Sequence, residues 1–293
     1  MTVSTRQSDP RDCDRHLDAD SVERYRRDGY LAPIAVTDET EMAEHRARLD
    51  AIEAGRPGGR ISPVHNVKIH LLAPYLWDLV RHPAVVDPVE SLLGPDILCW
   101  AAGFFDKRPD SPQHVPWHQD ATYWGLSAPE AVTAWIAFTP STRANGCMRV
   151  SPGTHNAAFV HADTGDNTAM LPGREKVQVE VDEAHAVDIE LRPGEMSLHD
   201  VLLVHGSRAN SSAQRRCGLS IRYIPAHLTS TGPGRPTATL VRGRDHGHFD
   251  LEERPDATFG PQAIQRYHPV ARRWMRAVMP NMGGGKRVEA KPS

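Results

Sequence analysis

Apolar positions change their spacing about a third of the way along the chain. Asp20-Ser21-Val22-Glu23 opens a helix that runs through Asp28 and gives way at Gly29-Tyr30-Leu31 to a short strand. A second helix, opened by Thr37 or Asp38, extends to about Ala54 and carries Met42, Leu49 and Ile52 on one face. The breaker Gly55-Arg56-Pro57-Gly58-Gly59 ends it, and Ile61 to His70 reads as extended. Pro74 to Leu93 is helical again, with Leu76, Leu79, Val80, Val85 and Val86 available for burial and Pro83 dividing it in two.

After Gly94-Pro95-Asp96 the apolar runs become short and turn-bounded. Ile97 to Phe105 is the first long strand; others follow around His118, at Ala131 to Phe138, Cys147 to Val150, Val177 to Val181 and Val187 to Leu191. Met196 to His199, Val201 to His205 and Leu219 to Ile224 complete the set, with Pro140, Asn145-Gly146, Pro152-Gly153 and Pro193-Gly194 between strands. Many short strands at this spacing predict a mainly β sandwich or barrel with flanking helices and a β core over about 97–226. The polar stretch between His155 and Val177, including His161 to Asn167, is a candidate substrate-facing loop. His227 to Gly260 reads as an irregular covering segment, and Gln262 to about Val278 as a last helix broken at Pro269. Residues 1–18 and 282–293 read as disordered tails of one domain that takes in 1–293.

The chemistry concentrates in Val115-Pro116-Trp117-His118-Gln119-Asp120. Residues i and i+2 of a strand share a face, so His118 and Asp120 can grip one metal ion together. A third ligand is expected from a strand that folds back beside this one, and His205 in Val201-Leu202-Leu203-Val204-His205 offers it; His199 is its rival. Two imidazoles and a carboxylate on one side of a metal leave the opposite positions open, as in non-haem Fe(II) oxygenases, and inward-facing metal histidines favour a jelly-roll or cupin-like core. The His-x-Asp spacing alone is a weak signal, since it recurs at His16 and Asp18, His161 and Asp163, and His248 and Asp250. Tyr123 and Trp124 follow the metal strand and are candidates to wall the substrate pocket, with ordinary core packing as the alternative.

Composition narrows the partners. The chain is 293 residues long with a net charge of −3, so the basic surface that drives nucleic-acid binding is not indicated and a small-molecule substrate is expected. No apolar run approaches the ~18 residues of a membrane span, and the four scattered cysteines suggest neither a disulfide framework nor a zinc knuckle. A cytoplasmic monomer or homodimer is the expectation.

Longer motifs carry a more specific signal. His118-Gln119-Asp120, Asn145-Gly146-Cys147-Met148 leading to Pro152-Gly153-Thr154-His155, His205-Gly206-Ser207, Asn210 and Arg216 resemble, in order and spacing, the phytanoyl-CoA dioxygenase family of iron and 2-oxoglutarate-dependent oxygenases. The likeness runs from roughly Lys68 to Tyr223. It implies a double-stranded β-helix and ligation of Fe(II) by His118, Asp120 and His205, because Ser207, Asn210 and Arg216 count correctly from His205 and not from His199.

The resemblance also implies a reaction: 2-oxoglutarate and O2 are consumed, succinate and CO2 are released, and an unactivated C–H of the substrate is hydroxylated. The remote carboxylate of 2-oxoglutarate needs a buried cation, and a guanidinium meets it with two parallel hydrogen bonds. Arg216 takes that role by its position, with Ser207 as a hydrogen-bond partner; Arg215 and Arg222 then read as surface or structural. The family pattern sets Lys107 and Trp135 near the cosubstrate, and Lys68 as a further candidate. Relatives that halogenate have a small residue where Asp120 stands, which argues here for hydroxylation or another oxidation. Other classes with the same ligands are a cupin-type hydrolase or isomerase and a non-catalytic metal-binding cupin; these would leave Arg216 and Ser207 without a purpose.

Overall fold

The helices stand where the chain can cap them. In the computed structural model, which describes residues 15–171, 175–232 and 234–278, the Asp18 side chain accepts a hydrogen bond from the Ser21 amide at 2.8 Å. Helix α1 (Ala19–Asp28) therefore starts from Asp18 rather than from Asp20 or Ser21, and Gly29 ends it at a φ of 81° that favours glycine. Asp38 caps α2 (Glu39–Ala54) in the same way through the Glu41 amide. Ile61 to His70 is not extended: Ser62 caps the single turn α3 (Pro63–Asn66), and a 3-10 turn follows over Ile69–Leu71. Helices α4 (Pro74–Val80) and α5 (Pro83–Leu93) meet at Pro83, which occupies the first position of α5 where its missing N–H is no loss.

The strands are β1 (Tyr30–Ala35), β2 (Ile97–Lys107), β3 (Val115–His118), β4 (Val132–Ala137), β5 (Met148–Val150), β6 (His161–Asp163) and β7 (Glu175–Val177), followed by β8 (Val187–Ile189), β9 (Glu195–Asp200), β10 (His205–Ser207), β11 (Arg216–Pro225), β12 (Thr237–Arg242) and β13 (Asp250–Leu251). One sheet has the order β1-β9-β4-β11-β2-β12-β13 and a second has β3-β10-β5-β8, while β6 and β7 form a separate pair. Every pairing is antiparallel except β12 with β13.

The large sheet has two faces of opposite chemistry, set by the period of two along each strand. On β11, Cys217, Leu219, Ile221 and Tyr223 pack into the cluster that holds Met42, Leu49, Leu76, Leu79, Val85 and Val86 from the helices, joined by Ala134 and Ile136 of β4 and Met196 and Leu198 of β9. The alternate residues Arg216, Ser220 and Arg222 face the small sheet instead, with Trp135 and His199 from the neighbouring strands. A cavity between the two sheets results.

Further elements depart from the sequence expectation; the strand expected over Val177 to Val181 is Glu175–Val177 and ends where that stretch begins. Val201 to Val204 is a fully buried turn, closed by the Leu203 amide on the Asp200 carbonyl, and its apolar run mimics a strand only because burial demands it. Thr237–Arg242 is an ordered strand beside β2 rather than part of an irregular cover. Helix α6 (Pro261–Val278) continues through Pro269 without a break. Arg15, His16 and Leu17 lie within the described residues and are anchored, the Leu17 amide donating to Ser91 Oγ at 2.9 Å and Leu17 packing on the core. Residues 1–14 and 279–293, which contain most of the two expected tails, lie outside the described residues.

Candidate active site

His118 and His205 are directly opposed across the β3–β10 ladder, which brings their ring centroids to 4.2 Å. Gln119 stays extended, at φ −119° and ψ 136°, so Asp120 at the start of a 3-10 turn keeps the face of His118. His118 Nε2 lies 3.4 Å from Asp120 Oδ1, and one ligand atom from each of His118, Asp120 and His205 falls within 4.8 Å of the others. Adjacent donors about 2.1 Å from a metal are themselves about 3 Å apart, so the spacing suits one ion. All three residues are buried.

The backbone decides the imidazole tautomers. His118 Nδ1 donates to the Pro116 and His205 carbonyls at 2.9 and 3.0 Å, and His205 Nδ1 donates to the Leu203 carbonyl at 2.9 Å. Carbonyls only accept, so each Nδ1 carries the proton and each Nε2 lone pair is left for a metal. Burial, with repulsion from His118 and His199, holds His205 well below the usual imidazole range, so it stays neutral. Burial alone would raise the Asp120 carboxyl, but the basic groups around it, Arg222 among them, outweigh burial and hold it well below the usual carboxylate range. Two imidazoles with free Nε2 lone pairs beside an ionised carboxylate are the donor set a divalent iron needs.

The far end of the same cavity gathers the cosubstrate candidates. Arg216 sits opposite Lys107 on the β11–β2 ladder and lies 4.3 Å from the Trp135 ring centroid. Its Nε is buried with no hydrogen-bond partner, and none of the described carboxylates pairs with it. A desolvated guanidinium without an anion is expensive, so this end of the cavity is built for a carboxylate from outside the chain. Lys107 Nζ meets Ser207 Oγ at 2.6 Å and the Gly146 and Arg208 carbonyls; burial, then the Arg216 charge, lowers its pKa to about 6. Asn210 closes the turn between β10 and β11 through the Arg108 and Gln214 carbonyls, which sets Arg216 in register with Lys107.

The structure therefore brings His118, Asp120, His205, Ser207, Arg216, Trp135 and Lys107 together at one cavity; all but Lys107 line it directly, and Lys107 reaches it through Ser207. Trp124 is a correction: it packs with Leu98, Trp100 and Leu202 in a separate cluster and does not line the cavity, because a large aromatic beside apolar neighbours gains more from full burial. The Tyr123 backbone continues the turn after Asp120, and its side chain lies outside the described residues. Lys68 is also corrected, since its Nζ is 2.5 Å from Glu252 in a buried ion pair.

The first part of the polar loop after His155 supports the metal turn. His161 Nε2 accepts the Gln119 amide at 2.9 Å, and Gln119 Nε2 donates to the Ala157 carbonyl at 2.7 Å, so both brace the His118–Asp120 turn. His155 reaches α1, donating from Nε2 to the Arg26 carbonyl at 3.0 Å. Arg215 is structural, as expected, in ion pairs with Glu53 and Asp106. Arg222 is not; it lines the cavity beside Asp120. Only its inward parity with Arg216 along β11 could have signalled that.

Fold and site together define a metal-dependent oxygenase built on a double-stranded β-helix. Residues 25–218 match the family described as Phytanoyl-CoA dioxygenase (PhyH). The L-proline trans-4-hydroxylase of Streptomyces griseoviridis is 29% identical over 258 residues, which cover 76% of this chain and 92% of that protein. Among solved structures, the apo form of the non-heme monooxygenase ThoJ superposes with a TM-score of 0.78 at 32% identity, covering 89% of this chain and 98% of that one. CytC3 with Fe(II) and alpha-ketoglutarate superposes with a TM-score of 0.63 at 26% identity, covering 85% and 96%. The chain belongs to the phytanoyl-CoA dioxygenase family. It is an Fe(II)- and 2-oxoglutarate-dependent dioxygenase of the hydroxylase class.

Proposed function

We propose that His118, Asp120 and His205 hold the Fe(II), that Arg216, with Ser207, Lys107 and Trp135 around it, holds the remote carboxylate of 2-oxoglutarate, and that the product is a hydroxylated small molecule. Iron bound there supplies the activation of O2 that drives decarboxylation of the cosubstrate and oxidation of the substrate C–H. The chain's own residues do the rest. His118 and His205 keep their protons on Nδ1, Arg216 fixes the direction of the cosubstrate, and the inner faces of the two sheets shield the reaction from water.

One observation carries the reading: a buried guanidinium without an anion, Arg216, shares one cavity with two imidazoles and a carboxylate spaced for a metal. A hydrolase would have no use for that cation. The relative named for proline suggests a small polar substrate, and the protein is proposed to act as one cytoplasmic oxygenase domain. Among the described residues no helix is long and apolar enough to cross a membrane.

The test is iron stoichiometry and the visible charge-transfer band of the anaerobic Fe(II)–2-oxoglutarate complex, measured for the wild type and for alanine variants at His118, Asp120, His205 and His199. The first three are expected to lose both iron and band, while His199→Ala keeps them. Full iron in His205→Ala with loss in His199→Ala would reverse the third ligand. A screen of succinate release over candidate amino acids, osmolytes and acyl thioesters then identifies the substrate.

A further inference from the structure

Three polar side chains lie in one row across the large sheet at the metal end of the cavity, and the roles above use none of them. His199 of β9 pairs with Thr133 of β4, and Thr133 pairs with Arg222 of β11. Thr133 Oγ1 donates to Asp120 Oδ2 at 3.4 Å. His199 is buried, stands 4.6 Å from the His205 ring, and both of its ring nitrogens lack a hydrogen-bond partner. Arg222 lines the cavity with its guanidinium over Phe105 at 5.7 Å, and none of the described carboxylates forms an ion pair with it. The one carboxylate that it feels is Asp120, which iron claims.

Charge supports an unfilled place. With iron bound, its two positive charges and that of Arg216 are matched by Asp120 and a dianionic cosubstrate. Lys107 Nζ is met by Ser207 Oγ and the Gly146 and Arg208 carbonyls. The Arg222 charge, on a half-buried side chain that lines the cavity, is then the surplus, and a partly desolvated cation favours a paired anion. Arg222 also stands six positions beyond Arg216 on the same strand, about 20 Å of backbone, so the two guanidiniums serve opposite ends of the cavity.

We infer that Arg222, with the His199 imidazole as a second hydrogen-bonding group, anchors a carboxylate of the primary substrate beside the metal, which makes that substrate a small organic acid. The inference rests on the assignment of iron and 2-oxoglutarate proposed above. A guanidinium meets a carboxylate with two parallel N–H bonds, and that geometry fixes which carbon of a small acid faces the iron. The other carboxylate that could reach Arg222 is the one of 2-oxoglutarate next to its keto group, and the experiment separates the two.

Anaerobic Fe(II) protein is titrated with 2-oxoglutarate, then with sodium propionate or propionamide, following the charge-transfer band and the heat of binding. The proteins are wild type, Arg222→Leu, Arg222→Gln and His199→Phe, and the band itself reports that each variant is folded and loaded. The expected result is 2-oxoglutarate affinity within about twofold of wild type in both Arg222 variants. Propionate saturates the wild type, binds at least tenfold more weakly to both Arg222 variants and severalfold more weakly to His199→Phe, and propionamide binds none of them. No propionate binding to the wild type, or equal binding to the Arg222 variants, overturns the inference. So does a tenfold loss of 2-oxoglutarate affinity in those variants, which assigns Arg222 to the cosubstrate. Unchanged propionate affinity in His199→Phe overturns the part given to the imidazole. A wild type without the band fails at the earlier assignment and is recognised before any propionate is added.

Discussion

At Arg216 and Lys107 the cavity wall holds two basic side chains that burial treats differently. The guanidinium cannot shed its proton and keeps a charge in need of a partner. The proposed partner is the cosubstrate, so Arg216→Ala should raise the 2-oxoglutarate KM by 100-fold or more, from a loss of roughly 3–5 kcal/mol, with iron affinity little changed. An unchanged KM, read from succinate formation, moves the role to another residue. The ammonium does shed its proton: burial, then Arg216, brings Lys107 to about 6, against about 10.5 for a lysine in an unfolded chain. Between those values the unfolded chain binds a proton that the folded chain does not, so this group's contribution to stability rises with pH across that window and is least below about 6. The denaturation midpoint of metal-free wild type should therefore climb from pH 6 to pH 9 relative to that of Lys107→Met. Parallel profiles would show that Lys107 titrates as an ordinary lysine.

Strand β11 is the element on which both functions of the sheet depend. Its outward residues close the helix-covered core, and its inward residues present Arg216, Ser220 and Arg222 to the cavity. Gly218 lies between them because a Cβ there would overlap the Trp135 ring that flanks Arg216. At the sheet's other edge, β12 is tied to the segment before α4 by a buried network. Glu252 Oε1 accepts from Lys68 Nζ at 2.5 Å and Thr237 Oγ1 at 2.6 Å, and Oε2 accepts from Thr239 Oγ1 at 2.7 Å. Removing one partner strands the other charge, so Glu252→Ala should destabilise by roughly 3–5 kcal/mol, whereas the double variant Lys68→Met with Glu252→Leu should recover most of that loss. Urea denaturation of the three proteins decides it; equal stability of single and double variants would show that the pair is not desolvated in solution.

For the whole molecule, Arg216 and Arg222, which no carboxylate pairs with among the described residues, are places where a bound anion would add stability. A ligand that binds only the folded state stabilises it by mass action, about 2.7 kcal/mol at 100 times its dissociation constant. Added 2-oxoglutarate should accordingly raise the Tm of the wild type in the presence of Fe(II) under anaerobic conditions, and should have almost no effect on Arg216→Ala. A shift of equal size in both proteins would place the cosubstrate elsewhere.

What the sequence determined by itself was whatever depends on short-range spacing and on side-chain chemistry. Helices α2, α4 and α5 were legible because caps and prolines act locally, and most core strands were legible from their turns. His118 and Asp120 could be paired from their spacing, whereas the choice of His205 over His199 came from the resemblance to a family, and one ligand atom from each of the three lies close to the others in space. Tertiary structure alone decided which apolar run was a strand. Val201 to Val204 is a turn made apolar by burial, and Thr237–Arg242 pairs with β2 although its local composition resembles a loop. It alone decided the partners of long polar side chains as well. Lys68 and Arg222 look alike along the chain as single basic residues, yet one is neutralised by Glu252 from a distant segment and the other faces the cavity beside Asp120. Pairing of that kind depends on which strands become neighbours, and neighbourhood across a sheet is set by contacts far apart in the chain, not by the residues on either side.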